Sequence, residues 1–341
     1  MNFSALKQTW VVAEIGVNHE GSISLAERMI EQAAWAGADA VKFQTYSAER
    51  YISSLQKERL AAAKSRSLTI EQFQHLAGLA SRLGLVFFTT PLSPIDADLC
   101  DSFTPIYKVA SGELTWLPLI RHLASKKKPL ILSTGGASLA EIAAAVEVVD
   151  QVWPQARQLG QLMLMHCVMA YPAPLESANL RNIATLEHHF NLPVGYSDHT
   201  VGIDVSQSAV AAGAVAIEKH FTYQKHDQQF RDHELSAEPH ELQMLVKKIR
   251  QIEQALGSSK RTLQDEEAKI LDSMRRSITA QVAIRKGEQF TDKNLTALRP
   301  AWGLPISKYY EVLGKSSARD LAEGEILSEE DIETYEKQSS K

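Results

Sequence analysis

Eight times between positions 10 and 222 a short apolar, β-branched run is followed by a longer stretch of helical period. The runs fall at 10–18, 40–46, 85–91, 107–113, 129–136, 162–168, 193–199 and 216–222. Strand followed by helix, repeated, is the pattern of βα units around a parallel sheet, and eight is the strand number at which such a sheet closes on itself. The spacing predicts an α/β chain whose first 258 residues form a (β/α)8 TIM barrel. Two intervening stretches pair a serine with a glutamate three residues on, Ser24 with Glu27 and Ser138 with Glu141, and both read as capping-box helix starts. The connection at 47–84 is the longest, and its charged stretch predicts an excursion over one end of the barrel.

A strongly helical segment at 238–257 closes the outer ring and ends at Gly257, a suitable C-cap. Residues 259–276 are polar and read as a linker, partly helical. Residues 277–341 hold short strands and read as a small β-rich domain. Two of its segments share a pattern: a strand, a charge-Gly-Glu turn at 286–288 or 323–325, an apolar pair, then Thr or Ser opening an acidic helical turn.

The formal net charge of −5 is spread over mixed acidic and basic residues, so no sustained basic face points to nucleic acid. The two cysteines, Cys100 and Cys167, lie outside any paired spacing. That disfavours a disulfide framework and a zinc ribbon and fits a reduced, cytoplasmic setting. Glu14 interrupts the first apolar run, which is neither a signal-peptide core nor a membrane span.

In a parallel barrel the loops after the strands form the active face, so polar residues at the run ends carry the chemistry. Lys42 and Lys108 stand inside otherwise apolar runs, where an unpaired ammonium is costly to bury. Each needs an anion: an internal carboxylate such as Glu14, Glu113 or Glu218, or a phosphate or carboxylate ligand. Hydroxyls at Thr90, Ser111, Ser133 and Ser197 on neighbouring run ends favour phosphate. His199 and His220 end adjacent runs, and two imidazoles there suit a divalent ion such as Mn²⁺, Mg²⁺ or Co²⁺ in an open site. Asp232 and His233 follow the eighth run, either as contacts to substrate hydroxyls or as a solvated loop.

Nine segments in collinear order, AEIGVNHEGS, AGADAVKFQTY, TTPLSP, YKVASGEL, LSTGGA, HCVMAYPAP, GYSDHTVG, GAVAIEKHFT and LRPAWG, resemble the N-acetylneuraminate (sialic acid) synthases and their relatives acting on legionaminic and pseudaminic acid precursors. The resemblance implies a barrel followed by an antifreeze-like (SAF) domain, in a domain-swapped homodimer whose small domains cover each other's active sites. It implies condensation of phosphoenolpyruvate with an N-acetylated aldose to a nine-carbon 2-keto-3-deoxy acid. Lys42, Thr90, Lys108, Ser111, Ser133 and Ser197 resemble the phosphoenolpyruvate binders, and His199 and His220 the metal ligands. Glu14, Glu113, Tyr171 and Asp232 resemble residues facing the sugar. Arg299 resembles the arginine that the small domain sends into the partner's site. Met169 stands where many relatives carry Asn or Ser, the loop at 224–236 lacks the usual Pro-Gly pair before the Asp, and Ala301 and Trp302 replace Gly-rich spacing.

Overall fold

The computed structural model describes residues 1–226 and 230–333. They divide into two compact units, Met1–Gly257 and Ser258 onward. In the first, eight parallel strands close in sequence order: β1 (Trp10–Gly16), β2 (Ala40–Thr45), β3 (Val86–Pro91), β4 (Tyr107–Val109), β5 (Leu130–Ser133), β6 (Leu162–Cys167), β7 (Val194–Asp198) and β8 (Ala216–His220). Each lies within one of the eight runs of the sequence. The runs are nearly continuous in apolar residues because a barrel strand is buried on both faces, by the lumen and by the helical ring.

Side chains alternate across each strand, so one residue in two points into the lumen. The lower lumen is apolar: Trp10, Val12, Ala40, Phe88, Ile131, Met163, Met165 and Ala216 pack there with Phe3, and the Trp10 and Phe88 rings stack at 5.3 Å. Two residues further along β1, β2, β3, β5 and β8 the inward positions turn polar, to Glu14, Lys42, Thr90, Ser133 and Glu218, and Ser197 joins them from β7. The alternation that builds the barrel floor thus lines up the polar groups of its mouth. At β1 a bulge slips the register between Glu14 and Gly16, with Lys42 opposite Glu14 and Phe43 opposite Gly16. Gly16 takes φ +55° there, a conformation that costs little without a Cβ.

Ser138 caps the helix Leu139–Val152 with a complete capping box to Glu141. The expectation for Ser24 is corrected. Ser22 is the cap of Ile23–Trp35, accepting from the Leu25 N–H, because the chain turns helical one residue before Ser24 and leaves that serine inside the first turn. The long connection supplies the helices Lys57–Arg66 and Ile70–Arg82, and Pro239–Leu256 ends at Gly257, φ +55°.

The second unit holds the helix Asp265–Met274 and an antiparallel pair, β9 (Ser277–Ala280) and β10 (Leu295–Leu298). Ile278, Ile284, Phe290, Leu295, Leu321 and Leu327 are among its core residues. The repeated pattern folds twice alike: Glu288 accepts from the Arg285 N–H at 3.0 Å and Glu325 from the Ala322 N–H at 2.8 Å. The two copies bridge at Ile284–Leu321. The last part of the expected small domain, 334–341, lies outside the described residues, as do 227–229 of the loop before Asp232. Among the described residues no helix is long and apolar enough to cross a membrane.

Candidate active site

One cavity of about 600 Å³ opens at the C-terminal ends of the strands. Glu14, Lys42, Thr90, Lys108, Ser111, Glu113, Ser133, Tyr171, Ser197, His199, His220 and Asp232 all line it. Arg299 belongs to the second unit, where it is exposed.

The two strand lysines are paired. Lys42 Nζ lies 2.9 Å from Glu14 Oε1 and 3.8 Å from Glu218 Oε1, and Lys108 Nζ lies 2.9 Å from Glu218 Oε2. Glu113, the other carboxylate considered for them, makes no ion pair among the described residues. It sits on the single turn Ser111–Glu113, facing the cavity from a different side. Ser197 Oγ donates to Glu218 at 2.9 Å, so one glutamate gathers both ammonium groups and a hydroxyl. As a site residue Glu218 was missed. It is among the carboxylates expected to partner the lysines, and the closed barrel pairs it with Lys108, 110 positions away.

The charges respond to this geometry in opposite ways. Burial pulls both lysines down. At Lys42 the Glu14 and Glu218 carboxylates outweigh burial and raise it, whereas Lys108, with Glu218 as its one carboxylate partner and Lys42 nearby, stays lowered. Burial also pushes the glutamates up. At Glu218 the attraction of Lys108 and Lys42 wins and holds the carboxyl well below its usual range, while Glu14 is raised to about 6 by burial, with Lys42 opposing and Glu218 reinforcing. Glu14 is 1% exposed, and its Oε2 has no hydrogen-bond partner among the described residues. An unpartnered buried carboxylate oxygen in a residue that lines a cavity calls for an explanation, and a ligand group is one.

In the same cavity His199 and His220 lie side by side, with ring centroids 5.3 Å apart and Tyr171 over the His199 ring at 4.2 Å. His199 Nδ1 lies 2.7 Å from the Val168 carbonyl. A carbonyl only accepts, so Nδ1 carries the proton and Nε2 keeps its lone pair. Burial lowers both imidazoles, and at His220 the neighbouring His199 and Lys42 add to it. Both are therefore neutral at neutral pH, as metal coordination requires. Among the described residues no group of three or more His, Cys, Asp or Glu gathers as a ligand set. Two neutral imidazoles with the remaining positions left to water and substrate fit an exchangeable divalent ion rather than a closed structural zinc.

Asp232 is buried rather than part of a solvated loop. Its Oδ2 lies 3.9 Å from His220 Nδ1, and burial raises its carboxyl. His233 points away from the cavity, its two ring nitrogens meeting Thr222 Oγ1 at 2.7 Å and Glu20 at 3.1 Å. The sequence reading also missed the rim. Arg59 and Arg66 line the cavity from the helix Lys57–Arg66, and the Arg66 guanidinium lies 4.4 Å from the Phe230 ring centre.

Comparison with known proteins accords with this arrangement. A model described as the NeuB family matches residues 29–261, and one described as the SAF domain matches 275–333. The chain belongs to the NeuB family. Over 338 residues, 95% of this chain and 100% of the other, it is 38% identical to N,N'-diacetyllegionaminic acid synthase of Campylobacter jejuni. It is 34% identical to pseudaminic acid synthase of the same species, covering 97% of this chain and 98% of that one. Among solved structures, N-acetylneuraminic acid (sialic acid) synthetase from Leptospira borgpetersenii is 35% identical, with a TM-score of 0.72 over 77% of this chain and 90% of that one. The NeuB barrel and the SAF domain are the two parts that the motifs implied.

Proposed function

We propose that this chain condenses phosphoenolpyruvate with an N-acetylated aldose, releasing phosphate and forming a nine-carbon 2-keto-3-deoxy sugar acid. The observation that carries the reading is that one cavity is lined by the pair of buried ammonium groups, Lys42 and Lys108, by hydroxyls, and by two neutral imidazoles. The lysines neutralise the enol phosphate while Thr90, Ser111 and Ser133 donate to its oxygens and fix its orientation, and Ser197, whose proton goes to Glu218, lines the same site. Held so, carbon 3 of the enol attacks the aldehyde carbon of the open-chain sugar. Water, oriented by Glu113, adds at carbon 2, where positive charge develops, and phosphate leaves from the tetrahedral intermediate. A divalent ion held by His199 and His220, Mn²⁺ or else Mg²⁺ or Co²⁺, would supply Lewis-acid polarisation of the aldehyde oxygen.

Glu14, Tyr171 and Asp232 line the same cavity and take the sugar hydroxyl and acetamido groups. Similarity to N,N'-diacetyllegionaminic acid synthase along nearly the whole chain supports a 2,4-diacetamido sugar ahead of N-acetylmannosamine. A second copy would bring Arg299 of its small domain over the site in a domain-swapped homodimer. The deciding experiment is a panel of N-acetylated aldoses incubated with phosphoenolpyruvate and Mn²⁺, with phosphate release and product mass read together. One sugar should yield a product heavier by a pyruvate unit, and silence with every sugar would favour a sugar-binding protein without catalysis.

A further inference from the structure

Cys167 lies in the cavity wall at the end of β6, 5% exposed, and the chemistry above gives it no part. Its Sγ is 3.0 Å from Ser111 Oγ and 3.4 Å from Ser133 Oγ, two of the hydroxyls assigned to the enol phosphate. Ser111 Oγ also accepts the Gly135 N–H at 3.1 Å. The contact is closed to any further atom, for a Cβ added at Gly135 would stand 2.6 Å from Sγ and 2.9 Å from Ser111 Oγ. Glu14 lines the same cavity, and its buried Oε2 has no hydrogen-bond partner among the described residues.

A hydroxyl has one proton to give and two lone pairs to fill. Either atom of the Cys167–Ser111 contact can donate; with the S–H given to the second lone pair of Ser111, beside the Gly135 N–H on the first, the serine proton has only the cavity to point into. A thiol suits the task because it is a weak acceptor and competes poorly with an anionic oxygen for that proton. Ser133, on the other side of Sγ, is likewise held near a group that will not keep its proton from a ligand.

We propose that Cys167 is a positioning residue which, together with the Gly135 N–H, makes Ser111 an obligate donor to the bound phosphoenolpyruvate. The inference rests on the function proposed above. It names a residue for which anion binding, rather than sugar binding, should be sensitive.

The test is calorimetric titration of the full-length chain with phosphoenolpyruvate, alongside KM and kcat for both substrates, in wild type, Cys167→Ala, Cys167→Ser and Gly135→Ala. Cys167→Ala should weaken phosphoenolpyruvate binding about tenfold, as expected for losing the orientation of one charge-assisted hydrogen bond. The KM for the sugar and kcat should change less. Cys167→Ser, which keeps a donor, should recover most of the loss, and Gly135→Ala should weaken binding as Cys167→Ala does. Equal binding by wild type and Cys167→Ala overturns the inference alone. So does a loss shared equally by both substrates and not relieved by serine, which would mean packing. Wild type that takes up no phosphoenolpyruvate overturns the function itself, and the inference with it.

Discussion

Asp198 and Lys219 stand opposite one another on β7 and β8, both fully buried, with Nζ 3.3 Å from Oδ2. Their neighbours Ser197, His199, Glu218 and His220 line the cavity, so alternation along the strands turns this pair away from it, toward the helical ring. Asp198 also accepts from the Thr200 N–H and hydroxyl, each at 2.8 Å, and from Ser206 Oγ at 2.5 Å, while Lys219 donates to the Thr200 carbonyl. The ends of the two strands that carry the imidazoles are thereby fastened from behind.

Asp198→Asn leaves the Lys219 ammonium without its carboxylate in a dry site, and the expected loss of stability is about 3–5 kcal/mol. Thermal and denaturant unfolding should show it. Adding Lys219→Met should restore much of the loss, since removing both charges relieves what removing one creates. If the single variant melts with wild type, the pair is not the fastening described.

Glu218→Gln tests the hub of the cavity. Burial already lowers Lys108, and the Glu218 carboxylate is the main force opposing that. Without it the lysine gives up its proton at a lower pH. The alkaline limb of kcat/KM for phosphoenolpyruvate should move to lower pH in the variant, and an unmoved limb would separate Lys108 from the rate.

Much of this molecule is legible in its sequence. Strand cores such as LIL and VFF are apolar on both faces, as in any covered parallel sheet, and the count of eight such runs points to closure. Lys42, Lys108, His199 and His220 stand out because charge and imidazole are rare in such runs. What the sequence hides is pairing across the barrel. Nothing local joins Asp198 to Lys219 or the Cys167 thiol to Ser111, and of the three carboxylates open to Lys108 only the closed barrel selects Glu218. Ser22 and Ser24 compete for one helix start, and the choice falls on Ser22 through a turn begun at Gly21, whose φ is +81°. The part that Arg59 and Arg66 play follows from where the long excursion lands, which no residue of the excursion encodes by itself.

His220→Ala removes one of two imidazoles from a site where, among the described residues, no group of three or more His, Cys, Asp or Glu gathers. Mn²⁺ affinity, followed by the paramagnetic signal of the free ion and so independent of turnover, should fall by at least about tenfold to a hundredfold. Circular dichroism should be unchanged, because His220 faces the cavity. Undiminished Mn²⁺ binding in both His220→Ala and His199→Ala would move the ion elsewhere.

His19 provides a pH test apart from catalysis. It is 1% exposed, accepts the Gly21 N–H on Nδ1 at 3.1 Å, and burial lowers it to about 4 from an ordinary 6.5. A proton on Nδ1 would place charge in a dry site and displace that N–H. Between pH 6.5 and 4 the unfolded chain therefore binds the proton that the folded chain refuses, so stability present at neutral pH is lost as the pH falls through this window. The shift corresponds to about 3 kcal/mol. In His19→Gln that share of the slope should vanish. The stability advantage of wild type over the variant should shrink by roughly that amount between pH 7 and pH 4, a difference in which other acid-sensitive groups cancel. Urea unfolding of both proteins at the two pH values measures it, and an advantage that stays constant would show that His19 titrates alike in the folded and unfolded chains.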